Sequence, residues 1–242
     1  MTFDQDDLVK LAQKLASEGP HKIVPTPRRV RGLFNGKYVF DTTKAYHVWE
    51  HPWYPQFYIP LSSITPAATL TKSSAIPDTN STVHLATLTV STKSTSRILL
   101  FTTALLPSLL KIDFPALDIW FEESLPIYQH PKDLFKRVDI LPSTRHIKIE
   151  LHGSVLAESA APLVLYETGL RPRWYLPPTS VRWEVLRKSE TVTYCPYKGR
   201  ANYYNLVWYY VYPTKESIEV AGYLCFYNEK VDVWVDGKLE KR

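Results

Sequence analysis

Apolar and polar positions alternate along most of this chain. In "RHIKIELHG", Arg145 to Gly153, apolar Ile147, Ile149 and Leu151 take every second place, with Lys148 and Glu150 between them. That is the period of a half-buried strand, and His152-Gly153 then supplies a turn. "PLVLYE", "RWYLP", "VRWEVL", "NLVWYYVY", "GYLCFY" and "VDVWVDG" follow at short spacing, separated by Pro, Gly or charge. The pattern predicts a mostly antiparallel sheet or small barrel. Residues 4–17 differ, because Leu8, Leu11 and Leu15 recur at helical spacing. Asp4 or Asp6 is placed to cap the start and Gly19-Pro20 to stop the run. One amphipathic helix is expected, to pack on a sheet or to dock a partner.

The same pattern occurs twice. "VPTPRRVRGLFNGKYVFDTTKAYHVWEHPWYPQFYIPLSSI" from Val24 lies without a gap over "LPSTRHIKIELHGSVLAESAAPLVLYETGLRPRWYLPPTSV" from Leu141, an offset of 141 − 24 = 117. Pro25/Pro142, Gly36/Gly153, Glu50/Glu167, Pro55/Pro172, Tyr58/Tyr175 and Pro60/Pro177 coincide. The ends of the halves align at an offset of 218 − 112 = 106, with Ile112 over Ile218, Trp120 over Phe226 and Glu123 over Glu229. Repetition of this kind predicts two homologous domains. The expected architecture is mainly β, two small antiparallel sheet or barrel domains in tandem behind one N-terminal helix. Residues 1–22 form the helix and linker, 23–139 the first unit and 140–242 the second.

Composition narrows the function classes. Of 242 residues, 45% are apolar and 22% charged, enough for two cores without staples. The aromatic share of 13%, with sixteen Tyr and seven Trp, suits strands and pockets. No apolar run reaches the ~18 residues of a membrane helix. The start, "MTFDQDDL", is acidic where secretory and transit signals are basic. Two cysteines, Cys195 and Cys225, are too few for a disulfide framework or a zinc site. A soluble protein of the reducing cytoplasm is expected, with no cofactor, no metal and no membrane partner. The net charge of +5 comes from dispersed Lys and Arg, and the densest cluster, "RRVR" at Arg28 to Arg31, alternates like a strand edge. Nucleic acid is therefore not expected as a partner, and the oligomeric state stays open.

In the second unit, "VLYETGLRPRWYLPPTSV", "TYCPYKGRANYY" and "VAGYLCFYNEKVDVWVDG" resemble the family known as domain of unknown function 427, in the tandem arrangement some members have. The resemblance spans Leu141 to Gly237, and Cys-Pro-Tyr-Lys-Gly is its most specific block. The first unit is similar through "VWEHPWYPQFYIP" and its C-terminal block. The resemblance implies a compact all-β domain and no particular reaction. A nucleotidyltransferase label is sometimes attached to the family. This chain has no P-loop, dinucleotide fingerprint or Asp cluster for Mg²⁺, so nucleotidyl transfer lacks its usual parts.

Cys195-Pro196-Tyr197-Lys198-Gly199 is itself a well-formed turn, since Pro fixes φ and Gly supplies a left-handed conformation. The first unit offers a control: "AIPDTNSTVHL" falls over "YCPYKGRANYY", placing Pro77 on Pro196 and Asn80 on Gly199. Ile76, Asp78 and Thr79 replace Cys195, Tyr197 and Lys198, so the turn alone does not demand Cys, Tyr or Lys. One working pocket, in the second domain, is expected. Lys198, Glu167 and Cys195 are the candidate catalytic groups, a base or Schiff-base former, an acid or base, and a nucleophile or wall residue. Tyr175, Tyr197, Tyr203, Tyr204 and Trp174 are the candidate ligand-binding residues, suited to a flat organic molecule. Glu167 recurs as Glu50 and equally fits a structural role. The residues leave open a cofactor-independent acid-base enzyme, a small-molecule-binding protein and an interaction module.

Overall fold

The computed structural model describes residues 5–241. The chain divides into two compact units, one ending at Asp133 and the other beginning at Leu134. In the first, helix α1 (Asp6–Ser17) precedes β1 (Lys22–Pro25), β2 (Val30–Phe34), β3 (Lys37–Thr42), β4 (Tyr46–Trp49), β5 (Gln56–Pro60), β6 (Thr69–Ala75), β7 (Val83–Val90), β8 (Lys93–Thr102), β9 (Pro107–Ile112), β10 (Ile119–Glu122) and β11 (Leu125–Ile127). The second carries β12 (Val138–Pro142), β13 (Ile147–Leu151), β14 (Ser154–Ser159), β15 (Leu163–Glu167), β16 (Arg173–Leu176), β17 (Lys188–Cys195), β18 (Gly199–Tyr204), β19 (Val207–Pro213), β20 (Leu224–Phe226), β21 (Asp232–Val235) and β22 (Lys238–Leu239).

Each unit is a pair of sheets. The first has a seven-stranded sheet, β1-β4-β5-β9-β8-β7-β6, and a four-stranded sheet, β11-β10-β2-β3. The second has β12-β15-β16-β20-β19-β18-β17 and β14-β13-β21-β22. Adding eleven to every strand number of the first unit reproduces the second, so the internal repeat is a repeat of topology. Each sheet ends in edge strands, so neither unit closes into a barrel. Strand β12 pairs with β15, which ties residues 138–142 to the large sheet of the second unit.

The strand register corrects the C-terminal alignment. Ile59 pairs with Leu110 in the first unit and Leu176 with Leu224 in the second, giving an offset of 224 − 110 = 114 instead of 106. Two connections of unequal length set it: the β18–β19 hairpin is shorter than its β7–β8 counterpart, and residues 214–223 between β19 and β20 hold a 3₁₀ helix, Lys215–Val220, that has no counterpart between β8 and β9. Ile218 lies on that helix and is 56% exposed. It is therefore not the equivalent of the fully buried strand residue Ile112.

Period-2 alternation gives each large sheet two apolar faces. In the first unit, Phe57, Ile59, Leu88, Ile98 and Leu110 turn inward to meet Val30, Phe40 and Trp120 of the small sheet. Val48, Tyr58, Leu99 and Phe101 turn outward and are covered by Leu8, Ala12 and Leu15 of α1. In the second unit, Val164, Trp174, Leu176 and Phe226 face Ile147, Ile149 and Val233 of the small sheet. Its outer face carries Leu165, Tyr175, Tyr210 and Cys225 and, among the described residues, no α-helix. Helix α1 begins at Asp6, with Gln5 as its N-cap and no side-chain capping bond. Asp6 and Asp7 instead sit in the first turn, where their charge meets the positive end of the helix dipole; Asp4 lies outside the described residues. Gly19, at φ 73°, ends the helix and donates its N–H to Leu15 O at 3.2 Å. Among the described residues no helix is long and apolar enough to cross a membrane.

The large sheet of the second unit is curled. Four steps separate β15 from β18, about 19 Å along a flat sheet at ~4.8 Å per strand. Lys198, at the start of β18, nevertheless ion-pairs with Glu167 at the end of β15. Two side chains cannot span the flat distance, so the sheet bends toward its outer face and makes that face concave. Val138 and Ile140 of the edge strand β12 meet Val220 from the segment after β19 in the same way.

His47 makes a testable demand on the first core. It is fully buried, lies tilted against Phe57 with ring centroids 4.8 Å apart, and neither ring nitrogen has a partner among the described residues. Burial, assisted by the Arg28 charge and opposed by Asp133, pushes its pKa from 6.5 down to about 4. The unfolded chain therefore binds the proton more readily, so this contribution is complete above about pH 6.5 and is lost as pH falls toward 4. The difference amounts to about 3 kcal/mol across that window. Burial shifts His51 in the same direction. His47→Leu should flatten the acid limb of stability between pH 6.5 and 4 in denaturant titrations. Parallel limbs for both proteins would remove His47 as the source.

Candidate functional site

The concave outer face of the second unit carries the site. Alternation places Leu163, Leu165 and Glu167 of β15, and Arg173 and Tyr175 of β16, on this side. A row of cross-strand partners, Tyr175, Cys225, Trp208 and Tyr203, crosses β16, β20, β19 and β18. Lys198 enters from the hairpin between β17 and β18, and its ammonium meets the Glu167 carboxylate with both side chains largely buried. A cavity of about 300 Å³ opens over this pair, lined by Tyr175, Tyr203, Trp208, Tyr210 and Tyr227 as walls and by Arg171 and Arg173 as further cations.

Hydrogen bonds fix several walls. Trp208 Nε1 donates to Tyr175 Oη at 3.1 Å. Tyr203 Oη and Thr193 Oγ1 share a bond of 2.6 Å, and the Tyr203 and Tyr227 rings stack at 6.4 Å. Arg173 grips Glu229 at 2.9 and 3.2 Å and Asn228 Oδ1 at 3.0 Å, and the bond from Arg173 holds the Glu229 carboxyl below its usual range. Burial lifts Tyr175 well above the ordinary tyrosine range, and burial raises Tyr210 and Cys225 in the same way. At neutral pH both phenols keep their protons, and Cys225 stays a thiol. Among the described residues no group of three or more His, Cys, Asp and Glu comes together to hold a metal ion.

The first unit shows the same face put to another use. Its row reads Tyr58, Lys111, Leu99 and Leu85, so Leu99 stands where the second unit has Trp208 and Leu85 where it has Tyr203. The apolar stripe of α1 lies on this row. Without a tryptophan donor, Tyr58 Oη turns to Glu50 and donates to its Oε1 at 3.0 Å. Burial raises the Glu50 pKa and lowers that of Lys111. Lys111 pairs with Asp113, which also binds Arg97, and Arg97 Nη1 reaches Asp7 of α1 at 2.7 Å. The helix thus fills and ties down the place that is a cavity in the second unit.

Of the residues singled out in the sequence, the structure brings Lys198, Glu167, Tyr175 and Tyr203 to one cavity. Trp174 and Tyr204 are strand neighbours of Tyr175 and Tyr203, so alternation turns them to the inner face, where they join the inter-sheet core. Tyr197 is buried outside the cavity lining, and its carbonyl accepts hydrogen bonds from Thr214 Oγ1 and Ser217 Oγ. Cys195 pairs with Gly199 across the hairpin and does not line the cavity. Arg171, Arg173, Trp208, Tyr210 and Tyr227 were not anticipated. The signal was available for three of them: Arg173 lies two residues before Tyr175, and Trp208 and Tyr210 share a face of "NLVWYYVY".

Two segments of the chain, residues 22–101 and 139–237, match the family model described as a domain of unknown function, DUF427. No curated protein matches.

Gly199 presents Lys198 to the cavity at φ 93°, and an added Cβ would meet Tyr212 O at 3.2 Å and Thr214 N at 3.3 Å, both backbone atoms. Gly199→Ala should therefore cost about 1–3 kcal/mol of stability, seen as a lowered midpoint in urea. An unchanged midpoint would show that the hairpin relaxes without strain.

Proposed function

The chain belongs to the DUF427 family, in tandem, and on that premise we propose a cofactor-independent enzyme that acts on a small organic metabolite by acid-base chemistry in the second unit. The observation that carries this reading is the Lys198–Glu167 pair on the floor of an aromatic cavity. A carboxylate and an ammonium side by side form a couple in which one group takes a proton from a substrate carbon or oxygen while the other stabilises the charge that develops. Glu167 is assigned as the base and Lys198 as the acid and electrostatic partner. Tyr175 and Tyr210 orient substrate oxygens. Isomerisation, cyclisation, elimination and hydrolysis all fall within this chemistry. Cys195, away from the cavity, is given no part in it. The first unit, its equivalent face filled by α1, serves as scaffold. Two free cysteines, Cys195 and Cys225, support a reducing, cytoplasmic setting.

A second reading, a non-catalytic binding protein, is favoured by the same pair in a different light. An ammonium already satisfied by a carboxylate resembles a fixed recognition element as much as a proton shuttle. Turnover separates the two. Incubation with a small-metabolite extract and mass spectrometry should reveal a compound depleted by the native protein. Lys198→Met should lower that rate by about two orders of magnitude or more. Because this variant leaves Glu167 buried without its partner, the Lys198→Met/Glu167→Gln double variant should recover stability and remain inactive. A compound that binds saturably and is never consumed would replace the enzyme reading with the binding one.

A further inference from the structure

We propose that the cavity of the second unit is built for a flat, single-ring organic anion, an aromatic carboxylate or its close equivalent, with its oxygens held by the Tyr175 and Tyr210 hydroxyls. The inference rests on the cavity being the functional site and adds the class of molecule it takes.

The first support is the direction of the protons. Tyr175 Oη accepts the Trp208 indole N–H at 3.1 Å, and among the described residues its own proton has no acceptor. Tyr210 is 4% exposed and lines the same cavity, and its hydroxyl makes no hydrogen bond among the described residues. Burial keeps both phenols protonated. Two unspent donors facing the cavity are placed to hold an acceptor of the ligand.

The first unit shows that this arrangement is specific. There Leu99 replaces Trp208, and the equivalent Tyr58 spends its proton on Glu50. In the second unit Lys198 occupies the carboxylate and Trp208 holds the phenol, which frees the Tyr175 proton for a ligand. Trp208 is thus a positioning residue.

The second support is charge and shape. Arg171, Arg173 and Lys198 line the cavity, and each is paired with a carboxylate, Glu240, Glu229 and Glu167 in turn. Of these carboxylates only Glu167 lines the cavity, so the surface offered to a ligand is cationic and favours an anion over an ammonium. The stacked Tyr203 and Tyr227 and the edge-on Trp208 and Tyr227 supply flat walls. A volume of about 300 Å³ is at the lower end for ligand pockets and fits one ring with a short polar arm.

Three probes of like shape test the assignment: benzoate, benzamide and benzylammonium, each titrated against the full chain by NMR. Benzoate should bind saturably, at least tenfold more tightly than benzamide, and benzylammonium should not compete. Tyr210→Phe removes an unpartnered hydroxyl and should leave the fold intact while weakening benzoate about tenfold. Tyr175→Phe should do the same, and Trp208→Phe should weaken benzoate with both phenols still present. Equal or tighter binding of benzylammonium, benzoate binding indifferent to Tyr210→Phe and Tyr175→Phe, or saturable binding of none of the three overturns the anion assignment. None of these outcomes decides whether the cavity is catalytic, because the metabolite turnover assay reads that separately.

Discussion

A sheet curled toward one side must fill the hollow it creates, and the rest of the molecule follows from how each unit does so. The inner face of either large sheet is closed by a four-stranded partner, and strand alternation leaves an equally apolar outer face behind. In the first unit that face is covered by Leu8, Ala12 and Leu15 of α1. In the second, the longer β19–β20 connection brings Val220 against one side of the face, and the remainder is an open cavity with aromatic walls. The same topology thus yields a closed scaffold once and a site once.

The difference is written in a few positions. Along one row of cross-strand partners, Lys111, Leu99 and Leu85 stand opposite Cys225, Trp208 and Tyr203. The first set suits a face that accepts a helix, and its lysine is neutralised by Asp113 under that cover. The second set suits a ligand, with aromatic walls and an indole donor. The glutamate common to both, Glu50 or Glu167, changes partner accordingly, from a tyrosine hydroxyl to the Lys198 ammonium. A carboxylate so deeply placed needs one or the other, which explains its presence in both units without assigning both a reaction.

Much of the fold was legible in the sequence because it is repetitive and periodic. The gapless offset of 117 over the first strands reflects connections of equal length in both units, and Leu8, Leu11 and Leu15 marked the helix. The later offset failed where connections of unequal length intervened, and identical letters such as Ile112 and Ile218 fell by chance in a strand and on an exposed turn of 3₁₀ helix. The site was legible in part. Lys198 and Glu167 stood out because the first unit lacks the one and keeps the other. Adjacent aromatics in "RWYL" and "ANYY" could not all face one pocket, and period 2 decides which do: Tyr175 and Tyr203, not Trp174 and Tyr204. The meeting of Lys198 with Glu167 depends on curvature, a property of the whole sheet that no local pattern records.

The central claim is that one outer face is open and its twin is filled. A crystal structure of the full chain soaked with phenol tests it most directly, since phenol is small enough to report any accessible aromatic cavity. The account predicts phenol in the second unit between Tyr203, Trp208 and Tyr210, beside the Lys198–Glu167 pair, with nothing between α1 and Tyr58. Phenol beneath α1, or a second-unit face collapsed and empty, would contradict it.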